Sequence, residues 1–316
     1  MFGSGGEIGA KLVPHPRVLA RQRDVHVARC ALGLTVYTRH RLPEPSSGVA
    51  SLLAAFLECA PRDHLSLFRT SLMGSWKRIR PGELTAVVED LANRAVSSRP
   101  RHLFSMHLVD NPHAPEAFFH YREVDEARGA GSGYVQLGFP VGTPPEMLFQ
   151  MAMEAAHRTP MWCGTGGFLA SAHPVEKCTS FSAFWTWAKR YWGVDVQDPE
   201  RARQHVHAGI PSVNWLNLVG IELLARSNLD DAAFRATARE EKLDVIDAPQ
   251  ATVVRAGTAP TLGDMNQMDL ALEYRRANAL MLPLLLPDPV RLFGRFWEGD
   301  ESARWARRFL EPEGWT

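Results

Sequence analysis

The residues best suited to chemistry are scattered histidines, three carboxylate pairs and one glycine run. His205 and His207 stand two apart, so on a strand they would share a face and reach one metal ion, given carboxylates from elsewhere. No acidic residue is placed beside them. A pair of surface or loop histidines accounts for them as well, and for His102, His107, His113 and His120. Glu89-Asp90, Asp230-Asp231 and Glu240-Glu241 fall on or at the ends of polar helix faces, where caps and solvated charge explain them better than general acid–base work. Gly164-Thr165-Gly166-Gly167 lacks the Lys-Ser/Thr of a phosphate loop and the spacing of a dinucleotide fingerprint, and reads as a tight strand turn. A Gly-x-Ser-x-Gly nucleophile elbow is missing from the sequence. Cys30, Cys59, Cys163 and Cys178 are too widely spaced for a zinc or redox motif, and read as small core residues in a reducing compartment. Neither a metal nor a cofactor is expected.

The elements that would position these residues alternate irregularly. Val27 to Tyr37 reads as a half-buried strand, with Arg29 and Thr35 on the face opposite Cys30, Leu32 and Leu34. A helix runs from Ser46 or Ser47 to Pro61, then a strand from Leu65 to Trp76 and a helix from Pro81 to Val96. Leu103 to Val109 and Ala117 to Tyr121 flank the turn Asn111-Pro112-His113 as a hairpin. Tyr134 to Phe139 makes a further strand, Pro144 opens a helix that runs to Pro160, and Met161 to Ala170 is again a strand. Phe181 to Trp192 is a helix crowded with aromatics, fit for a core or a partner groove rather than base stacking. On it Trp185 and Trp192 share a face, Trp187 points elsewhere, and one face should be core. Val213 to Val219 alternates as a strand, Asn228 or Asp230 caps a helix to Glu241, and two short strands surround Pro249.

This order predicts an α+β protein of mixed, largely antiparallel sheets with packed helices, without the regular alternation of a doubly wound sheet. Residues 1–26 form an N-terminal extension. Residues 27–316 form a single domain, divisible into two packed halves near 141–145, since no long linker separates them.

Lys plus Arg and Asp plus Glu both number 35, so no net field draws the molecule to nucleic acid. The longest apolar stretch, Ala277 to Pro289, is broken by Asn278, Pro283, Pro287 and Asp288, too short a run for membrane insertion. Met1 to Ala10 lacks the order of a secretory signal, so a cytoplasmic protein is expected.

Two stretches have a recognisable order and spacing: Gly209 to Gly220, with Trp215-Leu216, and Ala256 to Asn266, with Gly257, Pro260, Gly263, Asp264 and Asn266. Together they resemble the type VI secretion immunity family, formerly a bacterial domain of unknown function, over about residues 27–312. Asn217 stands where that family's pattern has Thr, and Ser227-Asn228-Leu229 where it has a Gly-Gly pair. The resemblance implies a protein that binds and neutralises a cognate effector toxin by occlusion. The motif residues suit scaffolding: Gly257 and Gly263 allow tight backbone paths, Pro260 fixes a turn, Asp264 or Asn266 caps the next helix, and Trp215 anchors the core. The loop from Arg122 to Gly133, with Glu123, Asp125 and Glu126, is the candidate partner contact, able to project acid toward a basic cleft; an ordinary hairpin loop explains it too. The competing readings are a hydrolase assembled in three dimensions from His205, His207, Asp264 and Asn266, and an interaction subunit of another bacterial defence system. Self-association stays open.

Overall fold

The computed structural model describes residues 21–22, 25–26, 28–39, 44–60, 65–80, 83–96, 104–123, 132–173, 180–292, 297 and 299–315. In chain order the elements are β1 (Arg21–Gln22), β2 (Val25–His26), β3 (Ala28–Thr38), α1 (Glu44–Cys59), β4 (Leu67–Thr70), β5 (Lys77–Arg78), α2 (Glu83–Val96), β6 (Ser105–Val109), β7 (Phe118–Arg122) and β8 (Gly133–Phe139). They continue with α3 (Pro145–Arg158), β9 (Met161–Ala172), α4 (Phe181–Arg190), β10 (Val194–Asp195), α5 (Pro199–Ala202), β11 (Leu216–Gly220), α6 (Ile221–Arg226), α7 (Asp231–Glu240), β12 (Asp244–Asp247), β13 (Ala251–Arg255), α8 (Leu272–Met281) and α9 (Glu301–Ala306).

One sheet organises the molecule, in the order β12-β13-β11-β9-β3-β8-β7-β6-β4-β5, with β10 paired to β9 off that path. Neighbours along the path are antiparallel, and β10 runs parallel to β9. The protein is therefore α+β with a largely antiparallel sheet. The boundary at 141–145 lies between β8 and α3. Because β3 pairs with β8 on one side and β9 on the other, strands from either side of that boundary lie in the same sheet.

The centre of the sheet is covered more fully than alternation suggests. In β3 both Leu34 and Thr35 are buried, as are Tyr37 and Thr38, so the strand is buried on both faces rather than half-buried. Thr35 keeps its hydroxyl satisfied by accepting a hydrogen bond from the Gln136 amide at 3.1 Å. α1 packs on α2 and α3, and α3 lies against β3, β9, β11 and β13. Ala31, Val109, Phe118 and Leu169 form a separate apolar cluster.

Other expected elements differ as well. The strand expected from Leu65 to Trp76 stops at Thr70, where Ser71 turns back and donates its N–H to Ser105, and resumes only as β5. The run Gly164 to Gly167 is no turn but lies inside β9. There Cβ atoms at Gly164 and Gly167 would collide with Thr35 O of the neighbouring strand and with the Asn214 side chain. Finally, α4 buries Ala183, Phe184, Trp187 and Ala188, while Trp185 is only half-buried. Trp192 is buried too, but it lies beyond the helix end, so helical spacing from Trp185 does not apply to it.

The carboxy-terminal segment explains which face of α4 is covered. Trp315 donates its indole N–H to Ala188 O at 2.9 Å, and Lys189 donates to Trp315 O at 3.0 Å while lying 3.8 Å from that ring's centre. Trp297 stacks on Trp315 with centroids 5.9 Å apart. Trp187, at 2% exposure, belongs to this core. Trp187→Ala is expected to cost about 3–5 kcal/mol through the cavity it leaves, and Trp185→Ala much less. Urea denaturation of the two variants checks the order; equal losses would refute it.

Candidate partner-binding surface

The two motif stretches meet in one buried corner of the sheet. β11 pairs with β9 from Cys163 to Gly166, and β10 takes over the same side of β9 at Phe168 and Leu169. The handover exposes polar backbone inside the core. Asn214 covers it: its side-chain amide donates to Phe168 O at 3.2 Å and accepts from Trp215 N at 2.8 Å. Asn217 then closes on Asn214, accepting its N–H at 2.9 Å and donating to its carbonyl at 2.8 Å. Both asparagines are buried and spent on backbone groups. This also explains why β11 begins at Leu216 rather than Val213, and what Asn217 does in place of Thr.

Trp215 is buried as expected and donates its indole N–H to Gly257 O at 3.0 Å, while its carbonyl accepts from Ala256 N. Leu216 pairs with both Gly166 and Arg255. Gly257, at φ +83°, and Gly263, at φ +60°, adopt left-handed backbone that favours glycine. A Cβ at Gly263 would also press on Gly193 N. Pro260 precedes Thr261, whose N–H reaches the Tyr274 hydroxyl at 3.1 Å.

Asp264 caps the short turn Met265–Gln267 by accepting from Asn266 N at 3.1 Å. Its carboxylate is also gripped by the Arg190 guanidinium through two bonds of 2.9 Å from the end of α4. That hydrogen bonding holds its carboxyl below the usual range, against the opposing effect of burial. Arg190 accompanies the aromatic stripe in the sequence, but nothing there links it to a residue 74 positions on. Asn228, where the resemblance implies a Gly-Gly pair, takes φ +52°, a conformation asparagine tolerates.

The other candidates are dispersed. His205 and His207 are exposed in the turns after α5, not on a strand. His205 lines an open depression with Arg201, Gln204, Asp288 and Arg291, to which Asp264 and Asn266 do not belong. Among the described residues no group of three or more His, Cys, Asp or Glu is placed to hold a metal ion. Cys30, Cys59 and Cys163 are free thiols, and burial pushes Cys30 up to about 12, the behaviour of an unreactive core thiol. Glu123 does not project: at 4% exposure, its carboxylate accepts Phe104 N–H at 2.9 Å. Asp125 and Glu126 lie outside the described residues. Among those residues, no helix is long and apolar enough to cross a membrane.

Asn214, Asn217 and Trp215 are committed to backbone groups and Asp264 to Arg190, which defines, as a class, an α+β scaffold built on one largely antiparallel sheet. The particular family emerges from comparison. A model described as type VI immunity for VRR-NUC, TsiV, matches residues 85–309, and the chain belongs to that family. No curated protein matches the chain. In fold it is similar to Pseudomonas aeruginosa T6SS protein PA0821, with TM-score 0.77 and 16% identity, over 92% of this chain and 86% of that one.

The Arg190–Asp264 pair makes a pH-dependent prediction. Because the folded carboxyl titrates below its unfolded value, its stabilisation is present above pH ~4 and is lost as pH falls toward the folded value. Asp264→Asn is expected to be less stable than the native protein at pH 7, with the gap closing below pH ~4. Denaturation midpoints across pH 3–7 check this; a constant gap would refute it.

Proposed function

We propose that this protein protects its own cell by binding a VRR-NUC effector in the cytoplasm and occluding it, without chemistry of its own. The observation that carries the reading is the family match across residues 85–309. The arrangement of the candidate groups supports occlusion over catalysis. Asp264 is engaged by Arg190, and His205 lines a depression apart from Asp264 and Asn266, so the set that a hydrolase would need is not assembled.

The charge balance fits the same reading. With formal net charge zero, long-range attraction contributes little, and selectivity for one effector rests on local shape and pairing. The cytoplasm is inferred from the proposed target, since a nuclease does its damage where the nucleic acid lies.

The test is to mix the purified VRR-NUC effector from the same strain with this protein and follow plasmid cleavage. Cleavage is expected to stop at about one equivalent, and co-expression is expected to rescue cells that the effector alone kills. Undiminished cleavage at saturating protein, with no complex on gel filtration, would overturn the assignment. Inhibition far below one equivalent would point to catalysis instead of occlusion.

A further inference from the structure

The sheet face that carries Thr35 holds a row of polar side chains in register across four strands. His107 of β6 stands opposite His120 of β7, His120 opposite Gln136 of β8, and Gln136 opposite Thr35 of β3. The two imidazole rings lie 4.8 Å apart. Against the histidines and Gln136, Phe184 of α4 and Trp297 bound a cavity of about 50 Å³, with Gln197 and Asp198 in its wall.

Size, hydrogen bonding and charge narrow what this cavity takes. Its volume is room for about three or four waters, or for one planar group of a few heavy atoms, and is far below the ~300 Å³ of a cofactor pocket. Among the described residues its histidines and carboxylate form no metal-holding group. Gln197 is fixed in place, donating Nε2–H to Pro211 O at 2.8 Å and its backbone N–H to Asp195 at 2.9 Å. Its Oε1 is buried without a hydrogen-bond partner among the described residues, and so calls for a donor. The local field is negative. Burial pushes the hydroxyl of Tyr134, another lining residue, well up, and the charges of Glu200 and Asp198 push it further, opposed by Arg122. An anion would meet both that field and a bare acceptor, whereas a cation carrying N–H donors is favoured by each.

We propose that this cavity is a receptor for a guanidinium group. One N–H donates to Gln197 Oε1, the charge pairs with the Asp198 carboxylate, and the rings of Phe184 and Trp297 supply apolar contact and cation–π attraction. A guanidinium suits the space better than an ammonium, being planar, more weakly hydrated and richer in donors. Two sources present such a group: the tip of an arginine on the effector, and a free guanidine. The site itself does not rest on the immunity function.

Methylguanidinium and methylurea share a shape and differ in charge, so titrating each into the full-length protein and following ligand-observed NMR tests the site. Methylguanidinium is expected to saturate with a millimolar dissociation constant, and methylurea to bind about tenfold more weakly or less. Asp198 also caps α5, its Oδ1 accepting Glu200 N–H at 3.1 Å, and asparagine caps as well as aspartate. Asp198→Asn is therefore expected to melt at the native temperature while losing about tenfold in methylguanidinium affinity. Gln197→Leu is expected to weaken it in the same direction. Absence of saturable binding, equal binding of the two ligands, or an unchanged affinity in Asp198→Asn would each overturn the proposal and leave a cavity that holds water only. Adding the purified VRR-NUC effector separates the sources. If saturating methylguanidinium weakens the effector complex, the group comes from an arginine of the effector; if it binds with effector affinity unchanged, the ligand is a free guanidine, and both outcomes uphold the site. A native protein that binds methylguanidinium but not the effector would overturn the immunity function alone.

Discussion

The structure turns on the place where β9 changes partners. A central strand paired with β3 along its length must, on its other side, pass from β11 to β10 without leaving buried carbonyls and amides unsatisfied. Asn214 is the residue that makes this passage tolerable. Its side chain supplies a donor and an acceptor at the gap, and Gly167 leaves the space for it, since any Cβ there would occupy the amide's position. Leaving such a buried group unpaired costs roughly 1–3 kcal/mol. Asn217 fixes Asn214 in turn. A pair of polar residues that looks misplaced in an apolar strand is what permits the strand.

From that corner the order extends outward by contacts that are individually modest. Trp215 ties β11 to Gly257, and Gly193 N bonds Leu262 O, so the Gly257 to Gly263 segment is fastened both to β11 and to the chain entering β10. Arg308 braces the same region from the carboxy-terminal end. Its buried guanidinium donates to Trp192 O and Trp305 O at 2.9 Å and lies 4.0 Å from the centre of the Trp305 ring. Burial pushes it down to about 9, opposed by the charge of Asp195, which leaves it protonated at neutral pH. A buried cation of this kind is held by carbonyls and aromatic faces rather than by a close carboxylate partner, so its main effect is to fix geometry.

Much of this architecture is legible in the sequence because local signals and tertiary placement agree. Pro145 opens α3, Asp230 caps α7, and Asn111-Pro112-His113 turns the β6–β7 hairpin. The segments that read wrongly are those where partners distant in sequence decide. The glycines at 164–167 look like a turn until β3 and Asn214 are set against them. Trp185 and Trp187 cannot be ranked for burial by their spacing to Trp192, because that residue lies beyond the end of α4. Glu123 looks like a projecting acid until Phe104 N–H is seen to need an acceptor. Gly257, Gly263 and Trp215 suggest scaffolding from their residue types alone, whereas Arg190 does not, because a salt bridge to a residue 74 positions away leaves no trace in spacing.

For a protein proposed to act by binding, the scaffolding of the motif bears on the cost of association. An immunity protein must reach its effector before the effector reaches its substrate, so affinity lost to ordering loops on contact is a direct liability. The segment from Thr261 to Asp264 is held by a bidentate ion pair and a buried tyrosine, so it is already ordered in the free protein. Gly263 and Asp264, which look purely structural in the sequence, therefore act by fixing the path of the chain between α4 and α8, with the ion pair to Arg190 holding one end of it.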